Sequence, residues 1–136
     1  MKLKKTIPAL PVIDIKKAVV FYENKLGFKA RHVEDTFAIV TRDEIELHLW
    51  AACDHRWKFR WITGLFKPIR SGAESFLPGT ASCRIEVEGI EELYLEYKAT
   101  GVIYDKNTVV THQYWGQLDF PVLDLHGNLI TFFQEA

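Results

Sequence analysis

The sequence predicts an α+β fold made of two βαβββ modules that are related by internal pseudo-symmetry. Three observations predict it. The chain has 136 residues, a length that suits one compact domain. A helical pattern of apolar residues occurs twice, 75 positions apart. Each helical pattern follows one strand-like stretch and precedes three more. We therefore expect a single domain over residues 1–136, with modules at 1–52 and 80–136 and a linker at 53–79.

The first module begins with an apolar, β-branched stretch from Ile7 to Ile13. Pro8 and Pro11 cannot donate backbone hydrogen bonds there, so this strand is expected at a sheet edge or against another chain. An aspartate N-cap and apolar residues at helical spacing predict a helix over residues 14–26, which Gly27 ends. Three strands follow at 29–33, 36–41 and 44–50, the last two joined by a tight turn at Arg42-Asp43.

The second module repeats this order of elements. A strand is expected over residues 82–87, and a helix follows it. A shift of 75 positions places Ile15 on Ile90 and Tyr22 on Tyr97, which indicates an internal repeat. Three further strands are expected at 108–112, 116–123 and 129–134, with a glycine-containing turn at Leu125-His126-Gly127-Asn128.

The charges are nearly balanced over the whole chain but not within it. Lys and Arg number 17 and Asp and Glu number 18, a formal net charge of -1, so no overall basic field indicates a nucleic-acid or membrane partner. The segment from His55 to Arg70 carries five of the basic residues and no acidic one, which leaves 12 basic and 18 acidic residues elsewhere, a net -6. The modules are therefore acidic and the linker is basic.

The linker also carries an aromatic pattern, because Trp57, Phe59 and Trp61 alternate with Lys58 and Arg60. An extended chain would place the three rings on one side and the two cations on the other. Single-stranded nucleic-acid platforms show similar alternation, but the acidic modules would repel a polyanion. We expect the linker either to close over a binding cleft as a lid or to pack at a dimer interface.

Cysteine usage and the N-terminal sequence predict a reduced, cytoplasmic setting. Cys53 and Cys83 belong to no metal-binding or disulfide pattern. Two prolines and Asp14 interrupt the apolar stretch after the basic N-terminus, which disfavours a secretory signal. No apolar run approaches the length of a membrane span.

Strand alternation predicts a polar and aromatic face on each sheet, opposite the helices. In the fourth strand Glu46, His48 and Trp50 point away from the apolar, helix-facing positions, and in the fifth strand Arg84 and Glu86 do the same. Aromatic residues make up 13% of the chain, more than a core of this size needs. Such faces suit a ligand cleft.

These polar residues admit more than one role. Glu46, His48 and Glu86 could form a displaced metal or acid–base site, or a polar network that binds a ligand; the network is favoured because no second histidine is placed beside them. Arg84 could clamp an anionic group or pair with Glu86 or Glu46, and pairing is favoured because both acids are near. The remaining histidines, including His32, are expected at the surface.

Six stretches of the chain carry a further pattern. They are AVVFY through LGF at 18–28, VEDTFA at 33–38, RDEIEL at 42–47, GIEELY at 89–94, YWG at 114–116 and the Gly-Asn turn at 127–128. Together they resemble the glyoxalase (vicinal oxygen chelate) superfamily and, within it, the bleomycin resistance proteins. The resemblance implies a homodimer with ligand clefts at the subunit interface, an exchanged N-terminal strand, and sequestration of a cationic glycopeptide drug without chemical change. It also matches Phe37 and Trp115 to the drug-stacking aromatic residues of that family.

The resemblance also bears on metal binding. Enzymes of the superfamily bind a divalent metal through one His or Glu on each of four strands, and those positions correspond here to Ile7, Glu46, Ser82 and Thr131. One potential ligand of four is not a metal site. The resemblance therefore implies no metal, no other cofactor and no catalytic residue.

The sequence thus predicts a metal-independent protein that sequesters a small aromatic-bearing compound, with bleomycin-type antibiotics the named candidate. One alternative is a metal-dependent enzyme of the superfamily, such as a lyase, thiol transferase or dioxygenase, with noncanonical ligands. Another is a dimeric interaction module whose cleft is filled by its own linker. If Arg84 and the basic linker line the cleft, a ligand with negative charge is expected. The predicted ligand-binding residues are Asp35, Phe37, Glu46, His48, Trp50, Arg84, Glu86 and Trp115.

Overall fold

The computed structural model describes residues 1–52 and 78–136. The predicted linker, with Trp57, Phe59 and Trp61, lies almost entirely outside these described residues. Eight strands and two helices occur within them. In chain order they are β1 (Ala9–Val12), α1 (Ile15–Lys25), β2 (Lys29–Val33), β3 (Phe37–Arg42), β4 (Ile45–Ala51), β5 (Ser82–Glu86), α2 (Ile90–Thr100), β6 (Thr111–His112), β7 (Gln117–Leu123) and β8 (Leu129–Glu135).

The strands form two four-stranded sheets of identical topology. The strand order is β1-β4-β3-β2 in the first sheet and β5-β8-β7-β6 in the second. In each sheet the first strand of the module is parallel to the last one, and the other neighbours are antiparallel. The prediction of two βαβββ modules is confirmed, and β1, which contains Pro11, lies at a sheet edge as expected.

The two helices begin 75 residues apart, and each has 11 residues. Asp14 caps α1, because its Oδ1 accepts the backbone N–H of Lys17 at 3.0 Å. The N-cap of α2 is Gly89, which has no side chain for this purpose. Oε1 of Gln134 in β8 accepts the N–H groups of Gly89 and Ile90 instead, at 2.9 and 3.0 Å. No helix in the described ranges is long and apolar enough to cross a bilayer.

The core lies between each helix and the inner face of its sheet. α1 contacts β2, β3 and β4, and α2 contacts β7 and β8. Tyr22 and Tyr97, which the repeat superposes, are both fully buried. Leu47 and Leu49 of β4 are also fully buried, whereas Trp50 is 41% exposed. The burial pattern confirms the predicted alternation of β4.

Arg42, at the end of β3, joins the two modules. Its Nη1 donates to the carbonyl of Leu26 at 2.8 Å and to Oε2 of Glu96 in α2 at 2.7 Å. The Tyr97 hydroxyl donates to the same Leu26 carbonyl at 2.7 Å. The hydrogen bond to Glu96 raises the pKa of Arg42, so the guanidinium stays charged. The C-terminal end of α1 is thereby tied to α2 through shared polar contacts.

Several predicted boundaries change, most of them by one residue. The first strand begins at Ala9 rather than Ile7 and ends at Val12. The predicted strand at 108–112 is reduced to β6, because the Asp105 carboxylate and carbonyl accept the N–H groups of residues 107 and 108 in a turn. The turn between β3 and β4 is centred on Asp43 and Glu44 rather than on Arg42-Asp43, and Asp43 has a φ of 51°.

Candidate functional site

Four rings lie together on the face of the first sheet that points away from α1; this ring cluster comprises His32, Phe37, His48 and Trp50. Phe37 is at its centre. The Phe37 ring centroid lies 4.8 Å from that of Trp50, 5.0 Å from that of His48 and 6.0 Å from that of His32. Strand register explains the arrangement, because Phe37 is directly opposite Trp50 and diagonal to His48. Rings on an open sheet face can stack against a planar ligand.

Glu46 lies beside the ring cluster and contacts three basic side chains. Its Oε1 accepts a hydrogen bond from Nη2 of Arg31 at 2.7 Å and lies 3.8 Å from Nζ of Lys5. Its Oε2 is 2.9 Å from Nε2 of His48. The hydrogen bond with His48 and the charges of Lys5 and Arg31 lower the pKa of Glu46. The carboxylate therefore stays ionised and orients the His48 ring, whose plane is perpendicular to that of Phe37.

Arg84 reaches across the second sheet. From β5 its side chain passes over β8, where the guanidinium carbon lies 4.9 Å from the centroid of the Phe133 ring. It ends at β7, where Nη2 donates to Oε1 of Gln117 at 3.0 Å and lies 3.5 Å from Oδ2 of Asp119. Arg84 is therefore paired, as predicted, but through residues of β7.

The prediction that Arg84 pairs with Glu86 or Glu46 is wrong. Glu86, at the end of β5, borders a groove of about 760 Å³ between the modules. Glu46 belongs to the first sheet, where it pairs with Arg31. The error has a physical cause: alternation says which face a side chain occupies, but a long arginine can cross one neighbouring strand and pair with the next.

Trp115 lies at the tip of the turn between β6 and β7. The N–H of Gly116 closes this turn on the carbonyl of Gln113 at 3.0 Å, and Gly116 has a φ of 90°. The indole Nε1 of Trp115 donates to Oε1 of Gln117 at 3.0 Å, and its ring lies edge-on to Tyr114 at 4.9 Å. Trp115 is 51% exposed, so it provides a second aromatic surface.

The eight predicted ligand-binding residues thus fall into two groups and two outlying positions. On the first sheet Phe37 contacts Trp50 and His48, and His48 contacts Glu46. Arg84 and Trp115 are linked through Gln117 on the second. Asp35 lies exposed in the turn between β2 and β3, two residues before Phe37, and Glu86 borders the groove between the modules.

Residues 6–132 match the family model described as Glyoxalase/Bleomycin resistance protein/Dioxygenase superfamily. The chain belongs to this superfamily. Over 130 residues it is 51% identical to bleomycin resistance proteins from Geobacillus stearothermophilus and Staphylococcus aureus, and the alignment covers 96% of this chain and 96% of each relative.

Solved structures of the superfamily share the fold. The bleomycin-binding protein from bleomycin-producing Streptomyces verticillus, complexed with copper(II)-bleomycin, matches with a TM-score of 0.71 at 25% identity, over 97% of this chain and 96% of that one. A glyoxalase-related enzyme from Clostridium phytofermentans matches with a TM-score of 0.69 at 18% identity, over 100% and 98%. Because a binding protein and an enzyme-related protein both match, the fold alone does not decide between binding and catalysis.

The metal positions implied by the superfamily do not fit a metal ion here. They correspond to Ile7, Glu46, Ser82 and Thr131. Glu46, the one suitable ligand among them, already accepts hydrogen bonds from Arg31 and His48. The alternative set of Glu46, His48 and Glu86 is not assembled, because Glu86 borders the groove between the modules. In residues 1–52 and 78–136, no group of three or more His, Cys, Asp or Glu side chains could hold a metal ion.

Several site residues are absent from the sequence prediction. His32 is exposed, as expected, and its ring also lies beside Phe37. Gln117 and Asp119 organise the second sheet's open face, and the alternation used for β4 would have found them in β7. Both alternate with Phe120, which is fully buried on the helix side. Alternation in the seventh strand is therefore sufficient to predict that Gln117 and Asp119 face away from the helix.

Proposed function

We propose that this protein binds a bleomycin-type glycopeptide antibiotic and sequesters it without chemical change. Two aromatic surfaces carry the proposal: the ring cluster on the open face of the first sheet, centred on Phe37, and Trp115 at the turn before β7. They occur in a chain that is 51% identical to bleomycin resistance proteins. Planar rings of a ligand stack on such surfaces, and stacking gives affinity without requiring a reacting group.

The charge distribution supports a cationic rather than an anionic ligand. Outside residues 55–70 the chain has 12 basic and 18 acidic residues. Arg84, the residue that would favour an anion, already donates to Gln117 and lies 3.5 Å from the Asp119 carboxylate. An arginine that is paired in this way contributes little uncompensated positive charge to a ligand.

The state of Glu46 supports binding without acid–base chemistry. A general base works best when its pKa lies near the working pH. His48, Lys5 and Arg31 instead lower the pKa of Glu46, which makes it a weaker base. Its hydrogen bonds with Arg31 and His48 suit a role in orienting the ring cluster.

We also propose that the active form is a cytoplasmic homodimer of single-domain subunits, with the open sheet faces enclosing the ligand between subunits. Large side chains on these faces and the adjacent turns are exposed: Trp50 at 41%, Tyr114 at 95% and Trp115 at 51%. Exposed apolar surface of this kind favours burial against a partner or a ligand. Sedimentation should therefore give twice the mass of one chain.

Binding is tested by calorimetric titration of the purified protein with bleomycin, both metal-free and copper-loaded. In thermal unfolding, saturation at about 100 times Kd should stabilise the protein by about 2.7 kcal/mol. Mass spectrometry of the recovered drug should show no change of mass. The absence of any stabilisation at high drug concentration would contradict the proposal, and so would a modified drug.

Metal independence is tested by elemental analysis of the purified protein. Substoichiometric divalent metal is expected, and drug binding should survive chelator treatment. One tightly held ion per subunit, lost in Glu46→Gln but retained in the exposed control Glu44→Gln, would overturn this part of the proposal and favour a metalloenzyme.

A further inference from the structure

We propose that Gln117 is a positioning residue that holds the Trp115 indole in its ligand-stacking orientation, and that Arg84 and Glu135 fix the Gln117 amide for this role. The inference rests on the proposed function, because it takes Trp115 as a stacking surface. It goes beyond that function by assigning a role to three residues that need not touch the ligand.

The hydrogen bonds of Gln117 determine the orientation of its amide. Its Oε1 accepts from Nε1 of Trp115 and from Nη2 of Arg84, both at 3.0 Å. Its Nε2 donates to Oε1 of Glu135 at 2.8 Å. An arginine can only donate and a carboxylate can only accept, so one amide orientation satisfies both neighbours. That orientation presents the acceptor to the indole N–H.

Arg84 is itself fixed from two sides. The ring of Phe133 lies under its guanidinium at 4.9 Å, and Oδ2 of Asp119 lies at 3.5 Å. Asp119 is only 7% exposed, and its Oδ1 accepts from Nε2 of Gln113 at 3.0 Å. The network therefore begins at a nearly buried carboxylate in β7 and ends at a half-exposed indole at the tip of a turn.

The position of Trp115 explains why such a restraint matters. Trp115 is itself 51% exposed, and its ring neighbour Tyr114 is 95% exposed. Packing around the indole is thus sparse. A side chain that is free to rotate loses conformational entropy when a ligand immobilises it, and a hydrogen bond formed beforehand reduces that loss.

The test compares Gln117→Met with the double variant Gln117→Glu/Glu135→Gln in the full-length protein, with metal-free bleomycin as the probe. Methionine keeps the length of the side chain but removes the strong acceptor, so affinity should fall by about 3- to 10-fold. The ¹H–¹⁵N resonance of the Trp115 indole, assigned by its loss in Trp115→Phe, should also shift. Glutamate at position 117 keeps the acceptor for Trp115 and Arg84, and Glu135→Gln supplies an amide N–H that can donate to it, so the double variant should restore both the affinity and the resonance.

A double-mutant cycle and a matched control separate positioning from general destabilisation. Phenylalanine has no N–H, so Gln117→Met should have no further effect on affinity in the Trp115→Phe background. Gln134→Met removes another side-chain acceptor of the second module, the one that caps α2. It should lower stability without moving the Trp115 resonance or the affinity.

The outcomes distinguish this inference from the function on which it rests. If Trp115→Ala binds the drug as the wild type does, the stacking function fails and the inference fails with it. If Trp115→Ala loses binding while Gln117→Met binds as the wild type does, the inference alone is overturned. An equal cost of Gln117→Met in the Trp115→Phe background also overturns it.

Discussion

The hydroxyl of Tyr22 in α1 donates a 2.9 Å hydrogen bond to Oδ2 of Asp124, 102 residues further along the chain. Tyr97, its repeat partner in α2, makes the reciprocal contact by donating to the carbonyl of Leu26 at 2.7 Å. Both tyrosines are fully buried, and Asp124 is 6% exposed. The buried tyrosine hydroxyl of each module thus donates to an acceptor in the other module. The repeat therefore extends from the sequence to the hydrogen bonds that join the modules.

Replacing Tyr22 by phenylalanine should lower the free energy of unfolding by about 1–3 kcal/mol, because a buried carboxylate loses a hydrogen-bond donor. Asp124 keeps the amide of Asn128 at 3.0 Å, which limits the loss. Urea denaturation measures the effect. The control is Tyr104→Phe, at a residue that is 53% exposed, where a change below about 0.5 kcal/mol is expected. Equal stability of the two variants would contradict a role for the Tyr22 hydrogen bond.

Stability should fall at high pH because of Tyr97. Burial raises its pKa to about 12, whereas tyrosine in an unfolded chain titrates near about pH 10. Below the unfolded value both states keep the proton and the stabilisation is fully present. As the pH rises from about 10 to about 12, the unfolded chain loses its proton first and the free energy of unfolding falls by roughly 3 kcal/mol.

The measurement is urea denaturation at a series of alkaline pH values. Tyr97→Phe should lose less stability across this range than the wild type. Burial and Asp124 raise the pKa of Tyr22 as well, so the double variant with Tyr22→Phe should lose least. An identical pH dependence in the wild type and Tyr97→Phe would show that Tyr97 does not carry the effect.

Gly27 and Gly101 offer a matched pair at the ends of the two helices. Their φ angles are 74° and 78°, so alanine at either position carries a left-handed backbone cost of about 1–2 kcal/mol. A Cβ on Gly27 would lie 2.6 Å from Nη1 of Arg42, whereas a Cβ on Gly101 meets no atom within 4 Å. Gly27→Ala should therefore lower the free energy of unfolding by about 1 kcal/mol more than Gly101→Ala, because Arg42 must leave its partners.

The same pair is then compared in an Arg42→Ala background. Without the guanidinium, the two glycine substitutions should cost the same, because only the backbone term remains. If the two costs still differ in this background, the extra cost of Gly27→Ala does not come from a clash with Arg42.

Local periodicity is sufficient to predict both helices and the open face of β4. The 75-residue shift places Ile15 on Ile90, and the helices do begin at these residues. The alternation of Leu47 and Leu49 with Glu46, His48 and Trp50 agrees with their burial in the fold. These features depend on contacts between near neighbours or on the pleat of one strand, which a sequence pattern records directly.

Contacts that depend on side-chain reach or on module packing are not predictable in this way. Arg84 pairs with Gln117 because its side chain crosses β8, and no local pattern encodes that crossing. The sequence predicts the turn before β8, but it does not predict the hydrogen bonds that the turn makes. Asn128 is fully buried and donates to the carbonyl of Pro11 at 2.7 Å, 117 residues away, a contact that exists only once the two modules have packed.

Phe37→Leu should lower the affinity for bleomycin about 10-fold, because the variant removes the central ring but keeps an apolar side chain of similar reach. Phe37 contacts Trp50 and His48 at 4.8 and 5.0 Å, so the neighbouring rings also lose their packing partner. Its side chain is only half-buried, and a modest loss of stability is therefore expected. Fluorescence titration measures affinity, and Leu95→Ala, at an exposed position of α2 away from the rings, is the control. Equal affinity of Phe37→Leu and this control would show that the ring cluster does not bind the drug.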